Sequence, residues 1–199
     1  MEKIVSQACL RNQQPILEAL TPLLEHGGSV LELACGTGQH GVYFAQHLPH
    51  IQWQLSEHPE QVHASKAWLD DAQLTNIEAP LAIDISEVDW ANSLPEFDYG
   101  FCANLLHFVS EQSATNIFKG MSQLLSPSGQ FFCYGPINEH GFTSEGNQAL
   151  DQWLKADINP LAGIKELEWL EQSAKQAGLI LNNRLNLPAN NVILVFLKG

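Results

Sequence analysis

Positive charge is scarce in this chain. Nine lysines and arginines stand against 22 aspartates and glutamates, which gives a formal net charge of −13 at pH 7. Nucleic acid and anionic lipid are bound largely through basic side chains, so neither is an expected partner. Arg11 and Arg184 are the two arginines of the chain, and a site that grips polyphosphate would have few donors. The balance favours a small molecule, neutral or cationic, as the partner.

Metal-ligand and membrane patterns are also lacking. Four cysteines, Cys9, Cys35, Cys102 and Cys133, form no CxxC pair and no zinc-type spacing, and the histidines lack HExxH. No metal is therefore expected. No apolar run approaches the roughly twenty residues of a membrane-spanning helix, and the N-terminal residues lack the apolar stretch of a secretory signal. These features predict a cytoplasmic protein with one domain over residues 1–199.

Strand and helix patterns alternate along the chain. Strands are predicted from Ser29 to a glycine turn and at 51–56, 80–83, within 97–106, 130–134, 179–187 and 191–197, with helices at 13–25, 39–46, 60–72, 110–125 and over much of 147–177. Five β/α units predict an α/β fold with a Rossmann-like, doubly wound and mostly parallel sheet. The last two strands are joined by three residues, too few for a parallel crossover, so they predict an antiparallel hairpin.

The most informative segment is Ser-Val-Leu-Glu-Leu-Ala-Cys-Gly-Thr-Gly at residues 29–38. A buried strand runs into a turn at Gly36 and Gly38, where the absence of a Cβ lets backbone approach a ligand closely. Glu32 lies inside the otherwise apolar strand. Because a buried carboxylate is costly without a partner, we expect a polar or cationic group to meet it.

Polar residues follow the other predicted strands at the same edge of the sheet. Strand two ends at Glu57 and His58, strand three at Asp84 and Ile85, strand four at Asn104 and His107, and strand five at Tyr134. Ligands of doubly wound sheets bind at the carboxyl ends of the strands. The sequence therefore predicts a ligand site along this edge.

Two cofactors compete for that site. Gly36, Gly38 and Gly41 match GxGxxG and Glu57 has the offset of a ribose-binding carboxylate, so an NAD-dependent oxidoreductase remains an alternative. S-adenosylmethionine fits better, because its ammonium group would pair with Glu32 and its adenine amine with Asp84, and it has no phosphates. NADP is disfavoured because no arginine follows the second strand.

Residues 31–38, Leu-Glu-Leu-Ala-Cys-Gly-Thr-Gly, resemble motif I of class I S-adenosylmethionine-dependent methyltransferases. The whole chain resembles the methyltransferase-like protein 26 family, a domain of unknown function. The matching stretches are Arg11-Asn12, Pro15–Leu17, Gly36–His40, Trp53, Phe101–Leu105, His107, Tyr134–Pro136 and Pro188–Asn191. Gln7, Leu10, Glu57 and Gly146 depart from the family pattern, and Glu57 keeps a carboxylate where aspartate is usual. The resemblance implies a seven-stranded methyltransferase sheet.

The resemblance also implies roles for individual residues. The implied cofactor-binding set is Arg11, Glu32, Cys35, Gly36, Thr37, Gly38, Glu57, His58, Asp84, Ile85 and Asn104. His107 is the candidate base, and Tyr134 and Asn190 are placed in a substrate pocket. The implied reaction is methyl transfer to a small-molecule acceptor, because the segment after strand four lacks the Asn-Pro-Pro-Tyr or Asp-Pro-Pro-Tyr signature of nucleobase and glutamine methylation.

Each of these residues also has a purely structural interpretation. Glu57 or Asp84 would cap a helix, Arg11 would be a surface charge, His107 a residue of the pocket rim, and Asn190 a turn residue. The chain as a whole would then be a non-catalytic binding or interaction module on a methyltransferase fold.

Overall fold

A computed structural model describes residues 3–199 of the chain. These residues contain one sheet with the strand order β3-β2-β1-β4-β5-β7-β6. The strands are β1 (Gly28–Leu33), β2 (Ile51–Glu57), β3 (Ile77–Ala82), β4 (Phe97–Ala103), β5 (Leu125–Pro136), β6 (Leu179–Leu187) and β7 (Asn191–Lys198). The helices are α1 (Gln7–Leu20), α2 (Gln39–His47), α3 (Lys66–Ala72), α4 (Glu111–Leu124), α5 (Glu145–Trp153) and α6 (Leu167–Gln176).

The sheet confirms the predicted fold class. Strands β1 to β5 pair in parallel, and β7 pairs antiparallel with both β5 and β6. The chain reverses direction across the sheet between β1 and β4, so this is a doubly wound, mostly parallel sheet with a C-terminal hairpin. The carboxyl ends of β1 to β5 and the amino end of β7 meet at one edge.

Two apolar clusters hold the helices against the two faces of the sheet. One joins α1 and α2 to the sheet through buried side chains that include Leu20, Phe44, Trp53, Phe101 and Phe132. The other joins α4 and α6 to the opposite face through side chains that include Ile117, Phe118, Phe131, Leu170 and Phe196. Burial of this apolar surface is the main stabilising contribution to the fold.

Serine caps begin three of the helices. The hydroxyl oxygens of Ser6, Ser110 and Ser144 accept hydrogen bonds from the backbone N–H groups three residues later, at the starts of α1, α4 and α5. Each cap satisfies a backbone donor that the first helical turn leaves without a partner. The α1 cap matters for the site, because it starts this helix six residues before the predicted start at residue 13.

Several predicted boundaries were wrong. Helix α1 ends at Leu20 and continues only as a 3₁₀ turn, Thr21–Leu23, and β3 begins at Ile77 rather than residue 80. The predicted helix at 60–72 divides into a 3₁₀ turn, Val62–Ser65, and α3. Strand β5 begins directly after α4 rather than at residue 130. Phe97 pairs with Leu125 and Tyr99 with Gln130, so residues 126–129 lie inside an irregular stretch of the ladder.

Candidate cofactor and acceptor site

The turn after β1 exposes backbone at the edge of the sheet where a ligand site is predicted. Ala34, Gly36 and Gly38 all have left-handed backbone conformations, with φ of 53°, 57° and 74°. Cys35 N–H donates to Ser56 O at 2.9 Å, which ties the turn to β2. A Cβ added at Gly36 would meet nothing within 4 Å, so space is open beside this backbone. The left-handed Ala34 is unusual for a residue with a side chain and had not been predicted.

Glu57 is held against that turn. Its Oε2 accepts a hydrogen bond from Gly36 N at 2.6 Å, and its Oε1 accepts one from His58 N at 2.7 Å. The residue is buried at the end of β2. A carboxylate has about four lone-pair positions, so two remain for a ligand's hydroxyl groups. The structure thus brings Glu57, His58 and Gly36 together, as the strand-end argument predicts.

Glu32 lies beneath the first turn of α2. Its Oε2 accepts a hydrogen bond from the Trp53 indole N–H at 2.6 Å, and a Cβ added at Gly41 would lie 2.7 Å from this oxygen. Burial raises the pKa of Glu32 to about 8, opposed by the Trp53 hydrogen bond and reinforced by the charge of Glu57. The carboxyl group is therefore mostly neutral at pH 7, and a cation placed beside it would favour its ionised form.

Asp84 follows β3 in a tight turn rather than at a helix start. Its Oδ1 accepts hydrogen bonds from Ser86 N at 2.9 Å and Ser86 Oγ at 2.6 Å, and its Oδ2 lies 3.7 Å from His58 Nε2. The Ser86 hydrogen bonds hold the pKa of Asp84 below its usual value, with a smaller effect from His58. Ile85 packs against the apolar cluster around α4.

A cavity of about 1090 Å³ opens at the ends of β4 and β5, on the same edge of the sheet. Asn104, directly after β4, lines the cavity. It has a left-handed φ of 56°, and its backbone N–H donates to Tyr134 O at 2.8 Å. The remaining lining residues come from α1, the segment after β4, the end of β5, the start of α5 and the hairpin turn: Ala8, Arg11, Asn12, Pro15, His107, Phe108, Tyr134, Pro136, Ser144–Asn147, Leu150 and Pro188–Asn191.

His107 lines this cavity with a ring that residues 3–199 leave without a hydrogen-bond partner. The residue is 5% exposed, and its ring lies 4.8 Å from that of Phe108. Burial lowers the pKa of His107 to about 4, and the charge of Lys165 acts in the same direction. The imidazole is therefore neutral at pH 7 and retains a lone pair that can accept a proton.

Arg11 and Tyr134 lie on the same cavity. Burial raises the pKa of the Tyr134 hydroxyl, against the lowering effects of Asn12 and of the Arg11 charge. Asn190 contributes from the hairpin turn, where its φ is 57°. Arg11 was predicted beside the cofactor. It lines the cavity together with the predicted substrate-pocket residues Tyr134 and Asn190, and its contact with a cofactor stays a prediction.

Sequence reasoning missed a polar interface that fastens α1 over the glycine turn. Asn12 Oδ1 lies 2.7 Å from His40 Nε2, and Ser6 N–H donates to Gln39 Oε1 at 2.9 Å. Burial lowers the pKa of His40 to about 4, so its neutral ring can donate to Asn12. These partners are 28 or more positions apart, and the repeated presence of polar residues at the start of α2 was the only available signal.

The predicted residues thus divide into two groups along one edge. Gly36, Glu57, His58 and Asp84 are joined by direct contacts, and Glu32 lies beside them under α2. Cys35 is buried in the turn and Thr37 is partly exposed in it. Arg11, Asn104, His107, Tyr134 and Asn190 surround the cavity. The structure shows these positions of the residues. Their roles toward a ligand stay predictions.

A protein-family model matches almost the whole chain. This model, described as "Protein of unknown function (DUF938)", covers residues 3–198. The chain belongs to this family. A curated relative of this DUF938 protein, "Uncharacterized protein RP028" of Rickettsia prowazekii (strain Madrid E), is 29% identical over 119 residues, which are 58% of this chain and 46% of that protein.

Solved structures resemble the DUF938 protein in fold. Mitomycin 7-O-methyltransferase MmcR has a TM-score of 0.84 at 13% identity, over 96% of this chain and 54% of its own. An O-methyltransferase family protein from Burkholderia thailandensis has a TM-score of 0.84 at 15% identity, over 96% and 57%. Human N-acetylserotonin methyltransferase, solved with S-adenosylmethionine, has a TM-score of 0.80 at 15% identity, over 97% and 53%.

The chain spans about half the length of these proteins. At such low identities the similarity establishes a methyltransferase fold and leaves activity to be argued from the site. Within residues 3–199, no helix combines the length and apolar character that crossing a bilayer requires. Nor do any three His, Cys, Asp or Glu side chains in this range cluster in a way suited to a metal ion.

Proposed function

We propose that this DUF938 protein binds S-adenosylmethionine and transfers its methyl group to a small-molecule acceptor. The observation that carries the proposal is the contact between Glu57 and the glycine turn. Glu32 lies beside this contact, and a large cavity bordered by Asn104 opens at the same edge of the sheet. The three methyltransferase structures of the same fold support it. We also propose that the chain acts as one domain and is related to the methyltransferase-like protein 26 family.

The chemistry of the carboxyl groups fits this cofactor. Glu32 is buried with an indole as its one hydrogen-bonding side-chain partner within residues 3–199, and an ammonium group beside it would favour the ionised carboxylate and pair with it. Glu57 has lone pairs left for ribose hydroxyls, and the open side of Gly36 leaves room beside the backbone. His58 and Asp84 would hold the adenine, with Asp84 accepting from its amine.

When bound, S-adenosylmethionine would supply an electrophilic methyl group on a sulfonium, which leaves as the neutral thioether S-adenosylhomocysteine. The chain's part is to align the acceptor for in-line attack and to keep water out, and alignment alone supplies much of the acceleration. As the new bond to the methyl forms, an acceptor O–H or N–H would pass its proton to the neutral ring of His107.

Two alternatives have a specific basis. The GxGxxG spacing with Glu57 would also suit an NAD-dependent oxidoreductase. A non-catalytic binding module would share the fold and the cofactor site, since fold does not fix function. Methyl transfer accounts for two separate features more directly than either alternative does: the buried carboxyl group of Glu32 and the His107 ring that has no hydrogen-bond partner within residues 3–199.

Calorimetry with S-adenosylmethionine, S-adenosylhomocysteine and NAD tests the proposal. We expect both adenosyl compounds to bind and NAD to bind at least tenfold more weakly, about 1.4 kcal/mol. Tight NAD binding without a response to the adenosyl compounds would overturn it. Mass spectrometry of ligands released from the purified protein is the second readout. Isotope-labelled cofactor with a metabolite panel then separates an enzyme from a binding module.

A further inference from the structure

Arg11 is a cation without a side-chain partner among residues 3–199 of an acidic chain. The other arginine, Arg184, pairs with Glu139. Within residues 3–199, Arg11 forms no ion pair and no side-chain hydrogen bond, and it is exposed on α1 at the wall of the cavity. In a protein with a net charge of −13, a guanidinium left free of carboxylates is available to a ligand.

The charge of Arg11 acts inside the cavity. It lowers the pKa of the Tyr134 hydroxyl at the end of β5, against the raising effect of burial. Asn12 and Asn190 line the same space with amide groups that can donate hydrogen bonds. Glu145 is the acidic lining residue, and it is exposed in the first turn of α5, where the helix dipole favours its charge.

The cavity overlaps only in part with the predicted cofactor contacts. Of those residues Arg11 and Asn104 line it, whereas the residues around the glycine turn, Glu32, Gly36, Glu57 and Asp84, do not. A sulfonium methyl donor is itself cationic at its reacting end, so a guanidinium facing the same space is unfavourable unless an anion lies between them. An anionic acceptor would satisfy both cations.

We propose that the cavity binds an acceptor that carries a carboxylate, and that Arg11 holds this carboxylate while the ring of His107 faces the atom to be methylated. This proposal rests on the proposed function for its reaction. Its binding component stands separately, since it depends on the cavity and on Arg11. The planar guanidinium matches a carboxylate with two parallel hydrogen bonds, which a neutral amide cannot accept equally well.

Matched pairs of probes test the binding component. The pairs are propionate with propionamide, benzoate with benzamide, and 4-hydroxyphenylacetate with 4-hydroxyphenylacetamide. Each compound is titrated into the free protein and into protein saturated with S-adenosylhomocysteine, with ligand-observed NMR as the readout. We expect at least one carboxylate to bind about tenfold more tightly than its amide. If no carboxylate exceeds its amide, the proposal is wrong.

Two arginine variants test whether Arg11 causes the preference for carboxylate over amide. Arg11→Gln should reduce the preference for carboxylate over amide to less than about twofold, a loss of one charge-assisted pair. Arg184→Gln changes the net charge by the same amount outside the cavity and should leave the preference intact. Equal losses in the two variants would show a general charge effect and overturn the proposal.

The affinity of the Arg11→Gln variant for the cofactor tests whether Arg11 binds the cofactor rather than the acceptor. We expect its affinity for S-adenosylhomocysteine to stay within about twofold of the unmodified protein. A tenfold loss there, with the probe preference unchanged, would assign Arg11 to the carboxylate of the cofactor and overturn the proposal. If S-adenosylhomocysteine does not bind at all, the proposed function fails, while the free-protein titrations still decide the role of Arg11.

Discussion

At the β1–β3 end of the ligand-binding edge, Glu57 and Glu32 already accept hydrogen bonds from the protein. At the β4–β7 end, His107 and Arg11 face a cavity without such partners among residues 3–199. The proposed function would use this difference: the first group, whose geometry is fixed before binding, would hold the cofactor. The second group, which is open, would take an exchangeable acceptor.

The two buried histidines show the same contrast. His40 and His107 both have a pKa lowered to about 4 by burial. His40 is hydrogen-bonded to Asn12 and stacks 5.5 Å from Phe44, so it is a structural residue. His107 has the same protonation state and a ring left free at the cavity. The difference in partners, rather than in pKa, distinguishes a candidate base from a structural histidine.

The largest expected effect is on kcat, and it comes from His107 at the β4–β7 end. His107→Asn should lower kcat by about 10²–10⁴-fold for an acceptor that must lose a proton, because the base is removed. Affinity for S-adenosylhomocysteine should not change. Steady-state kinetics with labelled cofactor measure both, and His63→Asn, at an exposed histidine, is the control. An unchanged kcat would assign His107 to the pocket wall only.

At the β1–β3 end, a substitution at Glu57 should change the affinity for the cofactor. Glu57→Gln removes the charge and one of the two acceptors that hold Gly36 N and His58 N, so it should weaken S-adenosylhomocysteine binding about 100-fold. Calorimetry measures the loss. The matched control is Glu60→Gln, an exposed glutamate three residues later, which should bind like the unmodified protein. A similar affinity in both variants would remove Glu57 from the site.

The pH dependence of binding sharpens the role of Glu32. Its folded-state pKa of about 8 means that an incoming ammonium group must displace a proton below that pH. Affinity for S-adenosylmethionine should therefore rise up to about tenfold per pH unit between pH 6 and 8, and the slope should vanish in Glu32→Gln. Methylthioadenosine lacks the ammonium group and serves as the control ligand. The same slope with that ligand would contradict the assignment.

The smallest expected effect concerns the docking of helix α1 against the start of α2. Asn12→Ala leaves the buried His40 Nε2 without its partner, so it should destabilise the docking of α1 by about 1–3 kcal/mol. Hydrogen exchange of backbone amides in residues 6–14 measures this opening. Gln7→Ala, at an exposed α1 position, should exchange like the unmodified protein. Equal exchange in both variants would mean that the Asn12–His40 contact does not fasten the helix.

Sequence patterns predicted the architecture because strand, turn and helix periodicities are local properties. The alternating units, the hairpin at Pro188–Asn190 and the edge on which Glu57 and Asp84 lie all follow from them. The start of β5 was missed because residues 126–129 have turn-forming composition. They lie between Leu125 and Gln130, which pair with Phe97 and Tyr99 of β4, and local composition does not give this pairing.

Within the site, the missing elements were contacts between distant segments. Trp53 is among the residues that carry the family resemblance, and it is buried. That its N–H meets Glu32 depends on the position of β2 against β1, which spacing does not give. The placement of Arg11 on the cavity depends in the same way on how α1 crosses the edge of the sheet.

A crystal structure with S-adenosylhomocysteine tests the central claim most directly. The account predicts the ribose hydroxyls on Glu57, the ammonium group on Glu32 and the thioether sulfur turned toward the cavity beside Asn104. A ligand bound elsewhere, or one that leaves both carboxyl groups without contact, would contradict it.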